Sequence, residues 1–203
     1  GHRRFFKQMK IAVYSGSFNP LHIGHLAIIR HLIEVAGFDM VYLIVSPKNP
    51  LKGEISSKTG SDRYHAAVEA VERHFHSKAE TTENARQKVF VDDIELNMPD
   101  PHYTIRTLRA LRDREPQNSF TLVMGADNLA DIRRWREYDN ILKEFGVAVF
   151  PRKGTDMAEA KADLLLENPE YRISLLNAEM VDISSTIIRE ALASGQDISS
   201  WLM

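Results

Sequence analysis

Lys10-Ile11-Ala12-Val13-Tyr14-Ser15 runs directly into Gly16-Ser17-Phe18-Asn19-Pro20-Leu21-His22-Ile23-Gly24-His25. The first six residues are a short apolar run closed by Gly and Pro, the pattern of a buried strand. Residues 16–21 then read as a loop. From residue 23 onward Ile23, Leu26, Ala27, Ile29, Ile33 and Ala36 fall close to helical spacing, and Gly37 follows as a stop. A buried strand, a glycine turn and a helix start therefore follow one another within 25 residues of the N-terminus.

The same alternation continues along the chain. Residues 40–45 predict a second buried strand, and a long polar loop over 46–61 carries Pro47, Pro50 and Gly53. Ser61 or Asp62 is placed to cap a helix reaching about His76. Strands are expected at 89–91 extending to Ile94, at 120–124, at 147–150 and near 172–176. Helices are expected over 104–114, 127–144 and 156–167, and from Ser184 or Ser185 to a stop at Gly195. This pattern implies an α/β fold, Rossmann-like and doubly wound, with a mostly parallel sheet and helices on both faces. In such folds ligands bind beyond the carboxyl ends of the strands. Neither GxGxxG nor GxxxxGK[ST] occurs, so phosphates would have to be held in another way.

The 203 residues, 23.2 kDa, suffice for one ordinary domain. Residues 1–8 read as an N-terminal extension or tag remnant, and 9–203 as a single domain. With 43% hydrophobic residues a packed core is within reach and global disorder is excluded. A net charge of -2 gives no bias toward nucleic acid or an anionic membrane. The absence of cysteine excludes disulfides, thiolate metal sites and a Cys nucleophile. No apolar run approaches the roughly 20 residues of a membrane span, and the N-terminus lacks the apolar stretch of a signal peptide. A cytoplasmic protein is expected.

Two segments carry chemistry. At the start of the first helix, backbone N–H groups and the helix dipole favour an anion. Gly16 permits close approach to the backbone. His22 and His25, three apart, can face one space, and Gly24 leaves room between them. The plainer reading is a tight turn with two surface histidines; a metal pair is disfavoured because no third ligand stands nearby and HExxH is absent. The second segment is Ile183-Ser184-Ser185-Thr186-Ile187-Ile188-Arg189. Taken alone it is a helix cap, but a cap of hydroxyl and amide donors with an arginine about one turn on also suits a phosphate.

Together these segments resemble the signatures of the HxGH nucleotidylyltransferase superfamily. Gly16, Phe18, Pro20, His22, Gly24 and His25 match its first motif, and residues 183–189 its ISSTxIR motif. Three further stretches resemble bacterial nicotinate-nucleotide adenylyltransferases. Tyr103-Thr104-Ile105-Arg106-Thr107-Leu108 is similar to their YTxxTL segment. Gly125-Ala126-Asp127-Asn128-Leu129 with Trp135 is similar to GADxL…W, and Asn49-Pro50-Leu51-Lys52 to the PPHK loop. Departures are Ser15 for a usual Gly, Asn19 for a usual Asp and Leu51 for a usual His. The tail also ends early at Met203, which puts C-terminal packing in question.

The resemblance implies adenylyl transfer from ATP to nicotinate mononucleotide, giving deamido-NAD and pyrophosphate. By the same resemblance His22, His25 and Arg189 are the catalytic residues. Gly16, Ser17, Phe18, Gly24, Asp127, Ser184, Ser185 and Thr186 would bind ATP. Lys52, Thr104 and Trp135 would bind the acceptor nucleotide. Mg²⁺ would be held mainly by the ATP phosphates, with no dedicated metal ligands. Each residue has a plainer alternative: Thr104 and Asp127 as helix caps, Trp135 as a core aromatic, Lys52 as a solvated lysine. Lys48, Arg63, Arg106 and Arg109 read as surface charges. The expected partners are ATP and nicotinate mononucleotide, not nucleic acid or membrane, with a homo-oligomer left open. The rival activities are another transferase of the superfamily, such as pantetheine-phosphate adenylyltransferase, and a nucleotide sensor without turnover.

Overall fold

A computed structural model describes residues 8–47, 59–76, 88–179 and 190–203. Six strands form one sheet: β1 (Lys10–Gly16), β2 (Met40–Val45), β3 (Val89–Asp92), β4 (Ser119–Gly125), β5 (Val147–Phe150) and β6 (Ile173–Leu175). Their order is β3-β2-β1-β4-β5-β6, and each neighbouring pair is parallel. The expected doubly wound α/β fold is therefore present. Among the described residues no helix is long and apolar enough to cross a membrane.

Strand periodicity accounts for the two cores. Along β1, Ile11 and Val13 face one side of the sheet, and Ala12 and Tyr14 the other; all four are buried. The alternation repeats in β2, where Tyr42 and Ile44 join the first core and Val41, Leu43 and Val45 the second. A strand buried on both faces gains nothing from polar residues, so it reads as a continuous apolar run. The second core is closed by α1 (Ile23–Glu34) and α2 (Gly60–Val71). The first is closed by α3 (Thr104–Arg114), α4 (Ala126–Ala130) and α6 (Met157–Glu167), with the chain around Ile141–Phe145.

Several boundaries differ from expectation for local reasons. The cap of α2 is Thr59, whose hydroxyl accepts from the Asp62 N–H at 3.2 Å, rather than Ser61 or Asp62. Beyond Val71 the helix widens into a π-turn over Glu72–His76. Ile94 belongs to a 3₁₀ turn, Ile94–Asn97, rather than to β3. The helix expected over 127–144 is divided into α4, a 3₁₀ turn at Ile132–Arg134, α5 (Tyr138–Asn140) and a π-turn at Ile141–Phe145. Glu137, at φ 50, precedes α5 in the left-handed region and breaks helical continuity. The last expected helix begins outside the described residues. Residues 190–193 are helical, and Gly195 turns out of it at φ 80.

Residues 202 and 203 are anchored to the body of the domain. Leu202 makes an antiparallel bridge to His22, Met203 is buried in the second core, and its carbonyl accepts from Arg73.

Gly146 joins the π-turn to β5 at φ +83, where an added Cβ would lie 2.9 Å from the Arg172 Cβ and 3.1 Å from its carbonyl oxygen. Gly154 has a similar φ of +90 but open space around it. Gly146→Ala is expected to lower stability by about 1–3 kcal/mol in urea denaturation. Gly154→Ala should lose less, because it meets the backbone cost without the collision. Equal losses would show that backbone strain alone sets the cost at Gly146.

Candidate active site

Strand order reverses at β1: the chain proceeds to β2 and β3 on one side and later returns to β4 on the other. The crevice this leaves at the carboxyl edge is where open α/β sheets bind ligands. Into it the β1 loop delivers the start of α1. Phe18 occupies the left-handed region at φ 46, unusual for a bulky residue, and the Asn19–Pro20 peptide is cis. The place a Gly16 side chain would take is filled by the Phe18 ring, 3.1 Å from the added Cβ. Glycine at 16 thus makes room for an aromatic ring, a need the sequence does not reveal. Phe18 is itself buried, edge-on to both Tyr14 and His25. What it can offer a ligand is backbone.

The two histidines form a reciprocal cap. His22 is the N-cap of α1, and its Nδ1 accepts from the Gly24 N–H at 3.0 Å. The His22 N–H in turn donates to Nδ1 of His25 at 3.1 Å, and the rings stack at 3.8 Å. A backbone N–H can only donate, so both Nδ1 atoms carry lone pairs and both rings hold their proton on Nε2. Each therefore offers one N–H donor. Burial holds the His22 pKa down to about 4, helped by the Arg152 charge. Burial, then His22, then Arg152 hold His25 well below the usual range. The pair is neutral at pH 7 and acts by donated hydrogen bonds.

Arg63 is not the surface charge its sequence setting suggests. It is 1% exposed, and its guanidinium donates to the carbonyls of Ser17 and Ser46 at 2.7 Å each and of Pro47 at 3.3 Å. From α2 it ties the loop after β1 to the loop after β2. No sequence pattern marked it, because its acceptors are backbone carbonyls. Arg109, by contrast, lies at the surface and pairs with Glu137 and Glu144; Arg106 donates to the carbonyls of Pro99 and Pro101. Lys48 lies outside the described residues.

On the acceptor side, Thr104 is the first residue of α3, with Tyr103 in the cap position, so Thr104 is no cap. Trp135 is half-buried against the first core. The two segments meet where the Arg136 guanidinium stands 5.3 Å over the Tyr103 ring. Glu95 links this region to β1: it is 7% exposed, and the Ser15 hydroxyl donates to it at 3.5 Å. Burial raises its pKa, opposed by Thr107, His102 and Ser15. No sequence pattern marks Glu95, whose Ser15 partner lies 80 residues away. Asp127 is the second residue of α4, behind a Gly125 cap, and is exposed. The structure thus brings together Gly16, Ser17, Phe18, His22, Gly24 and His25, while the segments of Thr104 and Trp135 meet through the neighbouring Tyr103 and Arg136. Lys52, Ser184, Ser185, Thr186 and Arg189 lie outside the described residues. Among the described residues no three His, Asp or Glu side chains converge to hold a metal.

A histidine with a depressed folded-state pKa takes up its proton more readily when unfolded. Its stabilising contribution is complete above the usual 6.5 and is lost as the pH falls toward about 4. Stability in urea is expected to decline across that window. His22→Asn, which keeps a cap acceptor, should flatten the decline; an unchanged profile would mean that His22 is not buried neutral.

Comparisons with known proteins bear on the family and the fold. A model of the family described as cytidylyltransferase-like matches residues 13–191. A Flavobacterium psychrophilum protein named "Probable nicotinate-nucleotide adenylyltransferase" is 36% identical over 194 residues, 96% of this chain and 92% of that one. A Bacteroides fragilis protein of the same name is 35% identical, over 95% of this chain and 87% of that one. In fold, the chain is similar to the Plasmodium falciparum nicotinic acid mononucleotide adenylyltransferase complexed with NaAD. The TM-score is 0.72 at 18% identity, covering 96% of this chain and 91% of that one. Matched by the family model over most of its length and by relatives above 30% identity almost from end to end, the chain belongs to the cytidylyltransferase-like family, among the nicotinate-nucleotide adenylyltransferases.

Proposed function

We propose that this protein transfers the adenylyl group of ATP to nicotinate mononucleotide, forming deamido-NAD and pyrophosphate. The observation that carries the reading is the pair of neutral, Nε2-protonated histidines at the start of α1, set in the crevice where strand order reverses. A phosphate oxygen of the acceptor attacks the α-phosphorus of ATP as the bond to the β-phosphate oxygen breaks. The pyrophosphate departs with that electron pair. No covalent nucleophile is required, so catalysis consists of alignment and charge stabilisation.

In this reading His25 donates to the α-phosphate, where charge develops, and His22 to the outer phosphates. Both donors are preorganised, because each ring is fixed through its Nδ1. Gly16, Ser17, Phe18 and Gly24 shape the loop around the phosphates, and Asp127 takes a ribose hydroxyl. Ser184, Ser185, Thr186 and Arg189 hold the leaving pyrophosphate. Trp135, Thr104 and Lys52 receive the acceptor, with the indole against the pyridine ring. Nε2–H groups donate and cannot ligate a cation, which fits Mg²⁺ carried by the phosphates rather than by a protein cage. When bound, that ion would neutralise phosphate charge. Residues 9–203 act as one domain in this reading, and the reaction belongs in the cytoplasm.

The direct test is pyrophosphate release with ATP and, in turn, nicotinate mononucleotide, nicotinamide mononucleotide and phosphopantetheine. Turnover is expected to be fastest with nicotinate mononucleotide; a preference for phosphopantetheine would overturn the reading. His25→Ala should lower kcat about 10²–10³-fold, the cost typical of one preorganised donor. A thermal melt alongside accounts for the lost cap, which costs about 1 kcal/mol. Near-normal turnover would remove His25 from the chemistry.

Trp135→Ala should raise the KM for nicotinate mononucleotide several-fold and leave that for ATP near normal, as loss of a stack worth about 0.5–1.5 kcal/mol implies. Because Trp135 also touches the core, Trp135→Phe serves as the companion, retaining a ring and much of the apolar contact. A loss shared equally by both substrates would assign Trp135 to packing alone.

A further inference from the structure

Arg152 has no place in the site as the motifs define it, yet it lies along the same edge of the sheet. It follows β5 by two residues and so emerges at the carboxyl edge, beside β4 and two strands from β1. Its guanidinium lies 5.1 Å over the Phe150 ring. Phe150 is edge-on to Tyr14, and Tyr14 in turn contacts His25, each at 6.0 Å between ring centroids. The cation therefore rests at one end of a line of rings whose other end is the histidine pair.

Its path is kept clear. A Cβ at Gly125 would lie 3.0 Å from the Arg152 Nε and 3.1 Å from its Cγ. Glycine at the end of β4 thus lets the arginine lie across the strand terminus. The Asp127 carboxylate is its sole charged neighbour within 4.0 Å among the described residues, and at 4.0 Å it is too distant for a hydrogen bond. Both side chains are more than half exposed. A guanidinium has five N–H donors, and among the described residues Arg152 donates none of them to protein.

The histidine pair supplies donors without formal charge, whereas a triphosphate carries several negative charges. We infer that Arg152 is a phosphate-binding residue of this site, turning from Asp127 to the triphosphate of the donor nucleotide when that nucleotide enters. The inference rests on the nucleotidyl-transfer reading and adds to it a cation that none of the recognised motifs contains. The planar guanidinium suits bidentate contact with phosphate oxygens. After burial, and for His25 after His22, its charge helps to lower the pKa of both histidines. Release from Arg152 would also free the Asp127 carboxylate to accept a ribose hydroxyl.

The test is calorimetric titration of the full-length chain with ATP, AMP and adenosine, for the native protein, Arg152→Gln and Arg152→Lys, with melting temperatures measured alongside. Arg152→Gln should weaken ATP about 10- to 100-fold, as expected for a lost charge-assisted contact. Adenosine should change less than about twofold, with AMP in between, and the melting temperature should hold because the side chain is exposed. Arg152→Lys, which keeps the charge but not the fork, should recover part of the ATP affinity. Unchanged ATP binding in Arg152→Gln would overturn the inference. So would an equal loss for ATP and adenosine, which would make Arg152 only a support for Asp127. A loss confined to nicotinate mononucleotide, titrated in parallel, would overturn it too. If the native protein itself binds no ATP, the nucleotidyl-transfer reading fails; if the native protein binds and Arg152→Gln binds equally, only the assignment of Arg152 fails.

Discussion

Parallel pairing on both sides of β1 forces the chain to leave this strand in one direction and return from the other. The crossover helices must then lie on opposite faces, and among the described residues no connection crosses over the carboxyl edge at β1. The loop that follows β1 is therefore held at its base by the sheet. Both cores depend on the same strand, since its alternate side chains contribute to each. A change that shifted the β1 register by one residue would exchange the two cores and turn the start of α1 away from the crevice.

Charge is distributed in the site with little outright ionisation close to the loop. The donors nearest the expected phosphates are neutral imidazoles fixed by backbone N–H groups, reinforced by the partial charge of a helix terminus. The buried guanidinium of Arg63 is turned the other way, toward carbonyls, and serves to join two loops. An arrangement of this kind meets a growing negative charge without reorientation, because each dipole is already set before the reaction begins. It also avoids the cost of burying like charges together when no ligand is present.

The order of strands and helices was legible because doubly buried strands leave continuous apolar runs, as at 40–45 and 147–150, and caps and stops punctuate them. The histidine pair was legible as well, since its spacing and its glycine neighbours are local. Arg63, Arg152 and Glu95 were not. Arg63 sits in an ordinary amphipathic helix, and only the folded course of two distant loops supplies its acceptors. Arg152 follows a strand like any other surface arginine, and its relation to Gly125 exists only once β4 and β5 are paired. Thr59 was passed over as a cap in favour of the nearer Ser61 and Asp62, and the interrupted region from 126 to 145 read as one helix because its apolar residues keep nearly helical spacing. For the three charged residues the deciding partner lies far away in sequence, whereas Thr59 and the interrupted helix turn on local backbone geometry.

The bridge between His22 and Leu202 joins nearly the two extremes of the described chain. The β1 loop is synthesised early, whereas the backbone that flanks its N-cap histidine follows only after the whole sheet has been made. Until then the loop lacks one wall. The final shape of the loop therefore depends on two distant parts of the chain having met, and a local change near residue 202 reaches the start of α1 through the backbone alone.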